Sequence, residues 1–299
     1  MRVAILYHPK LPHSQELARE ISTFLLGRGH EAWLGSSWDV RAIEAQLPGS
    51  DLILTLGGDG TILRAARVAV GSQAAILGIN LGRFGFLAEL QPEEWQAGLC
   101  QALAGDGWVE ERMMLQTEHC REGQTMARHH SLNEVVVSRG RLARVVRVDT
   151  YVDGTLLAHY VADGLIAATP TGSTAYAFAA GGPIMPPDLR NILLVPIAPM
   201  FGFTRPVVLS EGTEVRFVVS TDHEAILTID GQFDVQLQNG DEVLVQSSQC
   251  SARFLRLRPP SYFYKTLSQK FGELRSPWLT NGMDEPVEQR QSPASCTPC

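Results

Sequence analysis

The chain has 299 residues, of which 44% are hydrophobic, and a formal net charge of −7. This length and composition can fill two globular cores, and they exclude a disordered chain. The acidic balance offers no broad basic face to a nucleic-acid backbone or an anionic membrane, so we expect neither as a partner.

The apolar segments and the cysteines predict the cellular compartment of the protein. The first apolar run stops at His8-Pro9, which is too short for a signal peptide, and no segment approaches the roughly 20 apolar residues of a spanning helix. The five cysteines are widely spaced, and the last pair, Cys296 and Cys299, stands in a Pro- and Ser-rich tail. We expect a soluble, cytoplasmic protein without a disulfide framework and with a disordered tail over residues 276–299.

Residues 1–111 alternate apolar runs with amphipathic segments. Strands are predicted at "VAILY", "EAWL", "DLILTL" and "AAILGIN". Helices are predicted at "SQELAREISTFLLGRG", at "VRAIEAQL", from Thr61 onward and from Pro92 to Leu103. Continuous apolar strands that alternate with helices indicate a doubly wound α/β domain with a parallel sheet covered on both faces.

Residues 112–258 have a different rhythm, with strands of five to nine residues between turn signals. The predicted strands are "EVVVS", "RVVRVDTYV", "TLLAHYV", "ILLVPIA", "EVRFVVS", "EAILTID" and "EVLVQ". Asp153-Gly154, Asp230-Gly231 and Asn239-Gly240 are suited to tight hairpins. We expect an antiparallel, β-sandwich-like domain, followed by a terminal segment at 259–275 that packs back on the first domain.

The loop "GGDGT" between an apolar strand and a helix is the first candidate site. Gly57, Gly58 and Gly60 allow a phosphate to approach the backbone, and Thr61 can cap the helix. Neither a P-loop nor a dinucleotide fingerprint is present. In such a loop, the Asp59 carboxylate can hold a metal that bridges phosphates or accept a proton from an attacking hydroxyl. An ordinary Asp-Gly turn is the alternative.

Three further segments carry candidate ligand-binding groups. "DGLIAATPTGSTAYAFAAGGP" places five hydroxyls ahead of a small-residue helix, which suits phosphate or ribose oxygens or only a capped turn. Asn133 and Glu134 open an apolar strand and can bind ribose hydroxyls or be solvated. In "GINLGRFGFL", Phe84 and Phe86 follow a parallel strand and can stack on a purine or fill the core.

Taken together, the four segments resemble the NAD kinase family over the range from Val3 to about Leu274. GGDGT is shared with diacylglycerol and sphingosine kinases, whereas "LNE" followed by "DGLIAATPTGSTAY" is more specific. The resemblance implies phosphoryl transfer from ATP or polyphosphate to the 2′-hydroxyl of the adenosine ribose of NAD. It also implies a homo-oligomer, either a dimer or a tetramer.

The resemblance also implies roles for individual residues. Asp59 would accept the proton of the ribose hydroxyl while Mg²⁺ binds the donor phosphates through ligands left unassigned. Asp163 would contact the nicotinamide end of NAD. The other implied NAD contacts are Gly60, Arg64, Phe86, Asn133, Glu134, Arg144, Thr174, Ala175, Tyr176, Ala177, Phe178, Ala179 and Gln232.

One segment departs from the family pattern. Many members carry Pro-His-Ser-Leu before an Arg-Pro pair, whereas this chain has Met200, Phe201 and Gly202 in place of His-Ser-Leu. Two other functions stay open at this point. A lipid kinase would share GGDGT but should present a basic or apolar membrane-facing patch, and a regulator would bind NAD without catalysis.

Overall fold

The computed structural model describes residues 1–82, 85–141 and 144–272. Residues 1–260 form one compact unit, and a second unit begins at Ser261. The predicted disordered tail with Cys296 and Cys299, and Phe84, lie outside the described residues.

The secondary structure in these ranges comprises strands, α-helices and two 3₁₀ turns, the latter at Pro92–Glu94 and Gly172–Thr174. The strands are β1 (Arg2–Tyr7), β2 (Glu31–Ser36), β3 (Leu52–Gly57), β4 (Ala75–Asn80), β5 (Trp108–Arg112), β6 (Leu115–Arg121), β7 (Gln124–Ser131), β8 (Glu134–Arg139), β9 (Val146–Val152), β10 (Thr155–Ala162), β11 (Gly164–Ala168), β12 (Asn191–Ile197), β13 (Val207–Ser210), β14 (Val215–Ser220), β15 (Ala225–Ile229), β16 (Phe233–Leu237), β17 (Glu242–Ser247) and β18 (Ala252–Arg256). The α-helices are α1 (Pro12–Leu26), α2 (Val40–Gln46), α3 (Asp59–Val68), α4 (Trp95–Ala104), α5 (Tyr176–Ala179) and α6 (Tyr262–Gly272).

The first sheet has the strand order β2-β1-β3-β4-β18-β5, and its pairs are parallel except for β18 with β5. β3 and β4 are buried along their whole length because helices cover both faces of the sheet. Ile43 and Ile62, from α2 and α3, pack in one buried cluster, and Ile21 and Leu99, from α1 and α4, pack in another. Successive residues of β1 and β3 alternate between these clusters, so the predicted doubly wound arrangement is confirmed.

Two antiparallel sheets follow, with the orders β10-β9-β14-β17-β6-β7 and β13-β12-β11-β8-β15-β16. Val148 and Phe217 from the first and Val137 and Leu227 from the second are fully buried in one shared cluster. The inner faces of the two sheets therefore enclose a common core, which confirms the predicted antiparallel, sandwich-like part. Sequence patterns did not predict β11, because its five buried residues lie within the segment taken as a hydroxyl-rich motif.

The predicted hairpin dipeptides are correct at two positions and wrong at the third. Asp153-Gly154 and Asp230-Gly231 both have positive φ angles, and each joins two paired strands. Asn239-Gly240 instead connects β16 of one antiparallel sheet with β17 of the other. The Asn239 side chain accepts the backbone N–H of Thr221 at 3.0 Å, so it secures a crossover between sheets and not a hairpin.

The segment that departs from the family pattern has a glycine where its backbone requires one. Met200 N–H donates to the carbonyl of Val161 at 2.8 Å, and Gly202 has φ +102°. A Cβ on Gly202 would lie 2.6 Å from Cδ1 of Tyr160, so a larger side chain would displace that ring. The Met200 and Phe201 side chains are 66% and 68% exposed.

The second unit is represented by α6, whose Tyr262 and Phe263 side chains are buried and whose Tyr264 side chain is 61% exposed. The prediction that residues 259–275 pack back on the first domain, and the domain division at 111/112, stay predictions. Within the described ranges, no helix has the length and apolar character needed to cross a membrane.

β18 returns the chain to the first sheet and brings a buried cation with it. Arg256 is 1% exposed, and its guanidinium donates to Glu110 Oε2 at 2.8 Å, to Glu89 Oε2 at 3.2 Å and to the carbonyl of Leu87 at 2.9 Å. Buried charges are tolerated only when they are paired in this way. The cluster joins β18 to β5 and to the segment that follows β4.

We expect Arg256→Met to lower the free energy of unfolding by about 3 kcal/mol, because Glu110 and Glu89 would lose a buried counter-charge. Urea denaturation monitored by circular dichroism measures this change. The matched control is Arg258→Met, which removes the half-exposed pair with Glu94 and should cost less than about 1 kcal/mol. Equal losses in the two variants would contradict a special role for Arg256.

Candidate active site

The GGDGT loop forms the junction between β3 and α3. The helix begins at Asp59, and Gly58 is its N-cap residue without a side-chain cap. The prediction that Thr61 caps the helix is therefore wrong: its hydroxyl is buried and has no hydrogen-bond partner in the described structure. A Cβ on Gly57 would lie 2.2 Å from that hydroxyl oxygen, so the glycine leaves room for Thr61.

The Asp59 carboxylate is fixed by the backbone of a second segment. The N–H groups of Phe86 and Leu87 donate to its two oxygens at 2.9 Å and 3.2 Å. A Cβ on Gly85 would lie 2.0 Å from Oδ1, so only glycine permits this approach. Asp59 remains partly exposed at the positive end of α3. The carboxylate is thus oriented and accessible, as a base or a hydroxyl-orienting group requires.

The carbonyl of Gly60, next to Asp59, accepts two side chains. Gln232 Nε2 donates to it at 2.8 Å, and Arg64 Nη1 donates at 3.2 Å. The other end of the Gln232 amide accepts Arg67 Nη1 at 3.0 Å. Gln232 therefore connects the β15–β16 turn to α3. Sequence patterns did not single out Arg67.

Asn133 and Glu134 are held by an aspartate that the sequence presented only as a turn residue. The Asp230 carboxylate accepts the backbone N–H groups of Leu132, Asn133 and Glu134 at 3.0, 2.8 and 3.1 Å. Burial raises the pKa of Asp230, although these donors and the nearby Arg67 lower it. Asp230 thus fixes the start of β8.

Glu134 is a second buried acid beside Asp230. Its side chain is 5% exposed, and Oε2 has no hydrogen-bond partner among the described residues. Burial, together with the negative charge of Asp230, raises the pKa of Glu134 to about 8. At neutral pH, Glu134 is therefore mainly a protonated carboxyl that can donate a hydrogen bond.

The hydroxyl-rich segment packs against the backbone at Leu132 and Asn133, at the start of β8. Thr169 Oγ1 donates to the carbonyl of Leu132 at 2.5 Å, and Ser173 Oγ donates to the carbonyl of Pro170. A Cβ on Gly172 would lie 2.2 Å from the carbonyl oxygen of Asn133. Both hydroxyls are fully buried and bonded within the protein. Of the two interpretations that the sequence left open, the capped turn without a ligand fits these two hydroxyls.

The segment Thr174–Ala179 alternates between core and surface. Ala177 is fully buried against β11 and β12, whereas Tyr176 and Phe178 are 46% and 38% exposed. The Thr174 hydroxyl donates to the carbonyl of Thr171. Ala175 is partly buried, and Ala179 is exposed. Only part of this segment can therefore present side chains to a ligand.

Tyr176 and Asp163 line the same cleft, which has a volume of about 300 Å³. Arg139 and Arg141 line it as well. Arg139 forms a two-point ion pair with Asp163, with N–O distances of 2.8 and 3.0 Å. Arg139 therefore partly neutralises the negative charge of Asp163, the predicted nicotinamide contact. Sequence patterns did not single out Arg139.

Two predicted residues stand apart from these contacts. Phe86 is buried, with 9% of its side chain exposed, and its backbone serves Asp59. Arg144 is exposed in the loop before β9. Within the described ranges, no group of three or more His, Cys, Asp or Glu side chains is arranged to hold a metal ion.

Comparisons with known proteins cover both parts of the chain. A family model for the ATP-NAD kinase N-terminal domain matches residues 13–106, and one for the C-terminal domain matches residues 132–257. An NAD kinase of Dehalococcoides mccartyi strain CBDB1 is 40% identical over 270 residues, 90% of this chain and 95% of the relative. An NAD kinase of Chloroflexus aggregans is 42% identical over 266 residues, 89% of this chain and 96% of the relative.

Two solved structures are also similar. An NAD kinase from Archaeoglobus fulgidus in complex with ATP is 30% identical, with a TM-score of 0.74, and the match covers 90% of this chain and 98% of that one. Yeast NADH kinase complexed with NADH has a TM-score of 0.82 over 94% of this chain and 90% of that one. Its 24% identity supports the fold alone.

We expect Glu134→Gln to raise the free energy of unfolding above that of wild type by more at pH 9 than at pH 5. Because the pKa of Glu134 is about 8 in the folded chain and 4.5 ordinarily, the folded state binds this proton more tightly than the unfolded state. In wild type, the contribution of Glu134 to the free energy of unfolding is therefore fully present below pH 4.5, and it is lost as the pH rises through about 8. The difference should reach the order of a few kcal/mol in unfolding free energy.

Urea denaturation at both pH values measures this effect. The control variant is Glu16→Gln, on the exposed side of α1, which should change stability little at either pH. A Glu134→Gln stabilisation that is equal at pH 5 and pH 9 would show that Glu134 is already ionised in the folded protein at pH 5.

Proposed function

The chain belongs to the NAD kinase family, and from this membership we propose that it transfers a phosphoryl group from ATP to the 2′-hydroxyl of the adenosine ribose of NAD. It is therefore a phosphotransferase with an alcohol acceptor. The ATP-NAD kinase models and the ATP-bound archaeal relative support ATP as the donor. The products are NADP and ADP.

The observation that carries the proposal is the position of the Asp59 carboxylate. It lies at the carboxyl end of β3, where open α/β sheets bind ligands, and two backbone N–H groups fix its orientation. The 2′-hydroxyl gives its proton to Asp59 while the 2′-oxygen of the ribose forms a bond to the γ-phosphorus of ATP. The bond from that phosphorus to the bridging oxygen breaks, and ADP leaves.

The acceptor would bind across the start of β8 and the neighbouring cleft. Protonated Glu134 and the amide of Asn133 offer both a donor and acceptors for ribose hydroxyls. Asp163 would hold the nicotinamide end, and the segment Thr174–Ala179 would line the adenosine side, as the resemblance implies; Asp163 and Tyr176 line one cleft. Arg64, beside Gly60, would face an NAD phosphate, and Arg144 is assigned to NAD only by the resemblance.

We further propose that Mg²⁺ binds mainly through the phosphates of ATP. Mg²⁺ commonly keeps several waters and takes one or two protein carboxylates besides substrate phosphates. The described residues fit this mode, because Asp59 is a partly exposed carboxylate at the carboxyl end of β3. When bound, the ion neutralises charge on the transferring phosphoryl group.

Two wider features belong to the same proposal. Three large apolar side chains, Met200, Phe201 and Phe203, are exposed together in one segment. Exposed apolar groups of this kind suit contact with a second copy of the chain. We therefore propose a homo-oligomer.

We also propose a cytoplasmic location, since Cys100, Cys120 and Cys250 are free thiols.

We expect Asp59→Asn to lower kcat by about 10²- to 10⁴-fold, because the amide cannot accept the hydroxyl proton. NADP formation measures kcat, and calorimetry should find NAD affinity broadly unchanged. Asp106→Asn, on the exposed turn after α4, is the control that should keep wild-type kcat. Wild-type turnover in Asp59→Asn would remove Asp59 from the catalytic step.

Gln232 is expected to position the Asp59–Gly60 loop, because both ends of its amide are bonded within the protein. Gln232→Met should lower kcat about tenfold with little change in KM for NAD, since misplacement of a reacting group is costly. Gln236→Met, on the exposed side of β16, is the matched control. An unchanged kcat with a raised KM for NAD would instead establish the direct NAD contact that the resemblance implies.

A further inference from the structure

Arg67 lies in the last turn of α3, about two helical turns after Asp59. Its Nη1 donates to Oε1 of Gln232 at 3.0 Å, and its guanidinium lies over the Phe233 ring at 5.0 Å from the ring centroid. Gln232 belongs to the turn between β15 and β16, and Phe233 begins β16. One arginine of the first domain's helix therefore contacts two successive residues of a hairpin in the antiparallel part.

The surroundings of the Arg67 guanidinium hold it in one position. Arg67 is half-buried, and burial lowers its pKa while the nearby charge of Asp230 raises it. An arginine keeps its proton under these influences, so the guanidinium stays a cation beside a buried carboxylate. The Phe233 ring beneath it also packs against the ring of His129, with 4.9 Å between centroids. A carboxylate and an aromatic ring thus fix this cation from two sides.

The chemistry of the guanidinium determines which way the Gln232 amide faces. The oxygen and nitrogen ends of an amide have nearly the same shape, so the neighbouring groups decide its orientation. A guanidinium has donors only, and it therefore requires the oxygen end. The nitrogen end then faces the carbonyl of Gly60, to which Nε2 donates at 2.8 Å. A reversed amide would place its oxygen against the Gly60 carbonyl oxygen, and two acceptors repel each other.

The Gly60 carbonyl belongs to the first turn of α3, directly after the residue that carries the reactive carboxylate. Gly60 is exposed and has no side chain with which to pack. Arg64, which also donates to this carbonyl at 3.2 Å, comes from the same helix, whereas Gln232 comes from the antiparallel part. The Gln232 bond therefore ties the Asp59–Gly60 loop to the rest of the site, and this bond requires the amide orientation that Arg67 sets.

We propose that Arg67 is a positioning residue for phosphoryl transfer, which sets the orientation of the Gln232 amide and thereby holds the Asp59–Gly60 loop in place. In this role, Arg67 acts through Gln232 and needs no contact with either substrate. Loss of a positioning group displaces a reacting group and slows the chemical step, while substrate binding changes little. The inference rests on the proposed function, since the step that it affects is the one in which Asp59 takes part.

The test compares the kinetics of NADP formation in single variants of the full-length protein. Arg67→Met should lower kcat about tenfold with little change in KM for NAD or ATP. Arg67→Lys keeps a charged donor for the amide oxygen, so it should recover most of kcat. Arg253→Met is the matched control, because Arg253 Nη1 donates in the same way to Oε1 of Gln73 at 2.8 Å, in the segment before β4. This control should keep wild-type kcat.

The double variant Arg67→Met/Gln232→Met separates positioning from a general loss of structure. If Arg67 acts through Gln232, the double variant should have about the kcat of either single variant, whereas independent effects would multiply to about a hundredfold loss. A multiplied loss, wild-type kcat in Arg67→Met, or a raised KM for NAD as its main effect would overturn the proposal.

Urea denaturation of wild type, the two single variants and the double variant measures the same contact without substrates. The losses in unfolding free energy should be less than additive, and additive losses would contradict the contact between Arg67 and Gln232. The wild-type protein separates this inference from the proposed function. Absence of NADP formation in wild type refutes the proposed function, whereas wild-type NADP formation together with independent effects of the two substitutions refutes only the role of Arg67.

Discussion

The arrangement of the site depends on the buried Asp230 carboxylate, which accepts three successive backbone N–H groups at the start of β8. Buried carboxylates are costly unless they are satisfied in this way. The same turn carries Gln232, which is bonded to the Gly60 carbonyl and to Arg67. One hairpin turn of an antiparallel sheet therefore fixes both the Asn133-Glu134 pair and the loop that contains Asp59.

Two carboxyl groups of the site differ because their surroundings differ. Asp59 is partly exposed, and two backbone N–H groups orient its carboxylate, so that an acceptor hydroxyl can reach it. Glu134 is buried beside Asp230, and its raised pKa suits a neutral group that donates a hydrogen bond. Burial and local charge thus separate an acceptor from a donor within the same site.

The sequence was sufficient where local pattern decides structure. β1, β3 and β4 were predicted because strands buried on both faces are continuous apolar runs, and Asp59 was singled out by its glycine loop. Asp230, Arg67 and Arg139 were missed as site residues, since their partners are distant in sequence; Gln232 and Gly60 are 172 residues apart. The role of the Thr169 and Ser173 hydroxyls stayed open in the sequence, because composition does not distinguish a buried hydroxyl from a ligand-binding one.

The central claim is that this site directs phosphoryl transfer to one hydroxyl of NAD. The most direct measurement incubates the purified chain with ATP, Mg²⁺ and NAD and identifies the phosphorylated product by phosphorus NMR. The account predicts a phosphate monoester on the 2′-oxygen of the adenosine ribose, formed in equal amount to ADP. ADP release without that ester, or an ester at the 3′-oxygen, would contradict it.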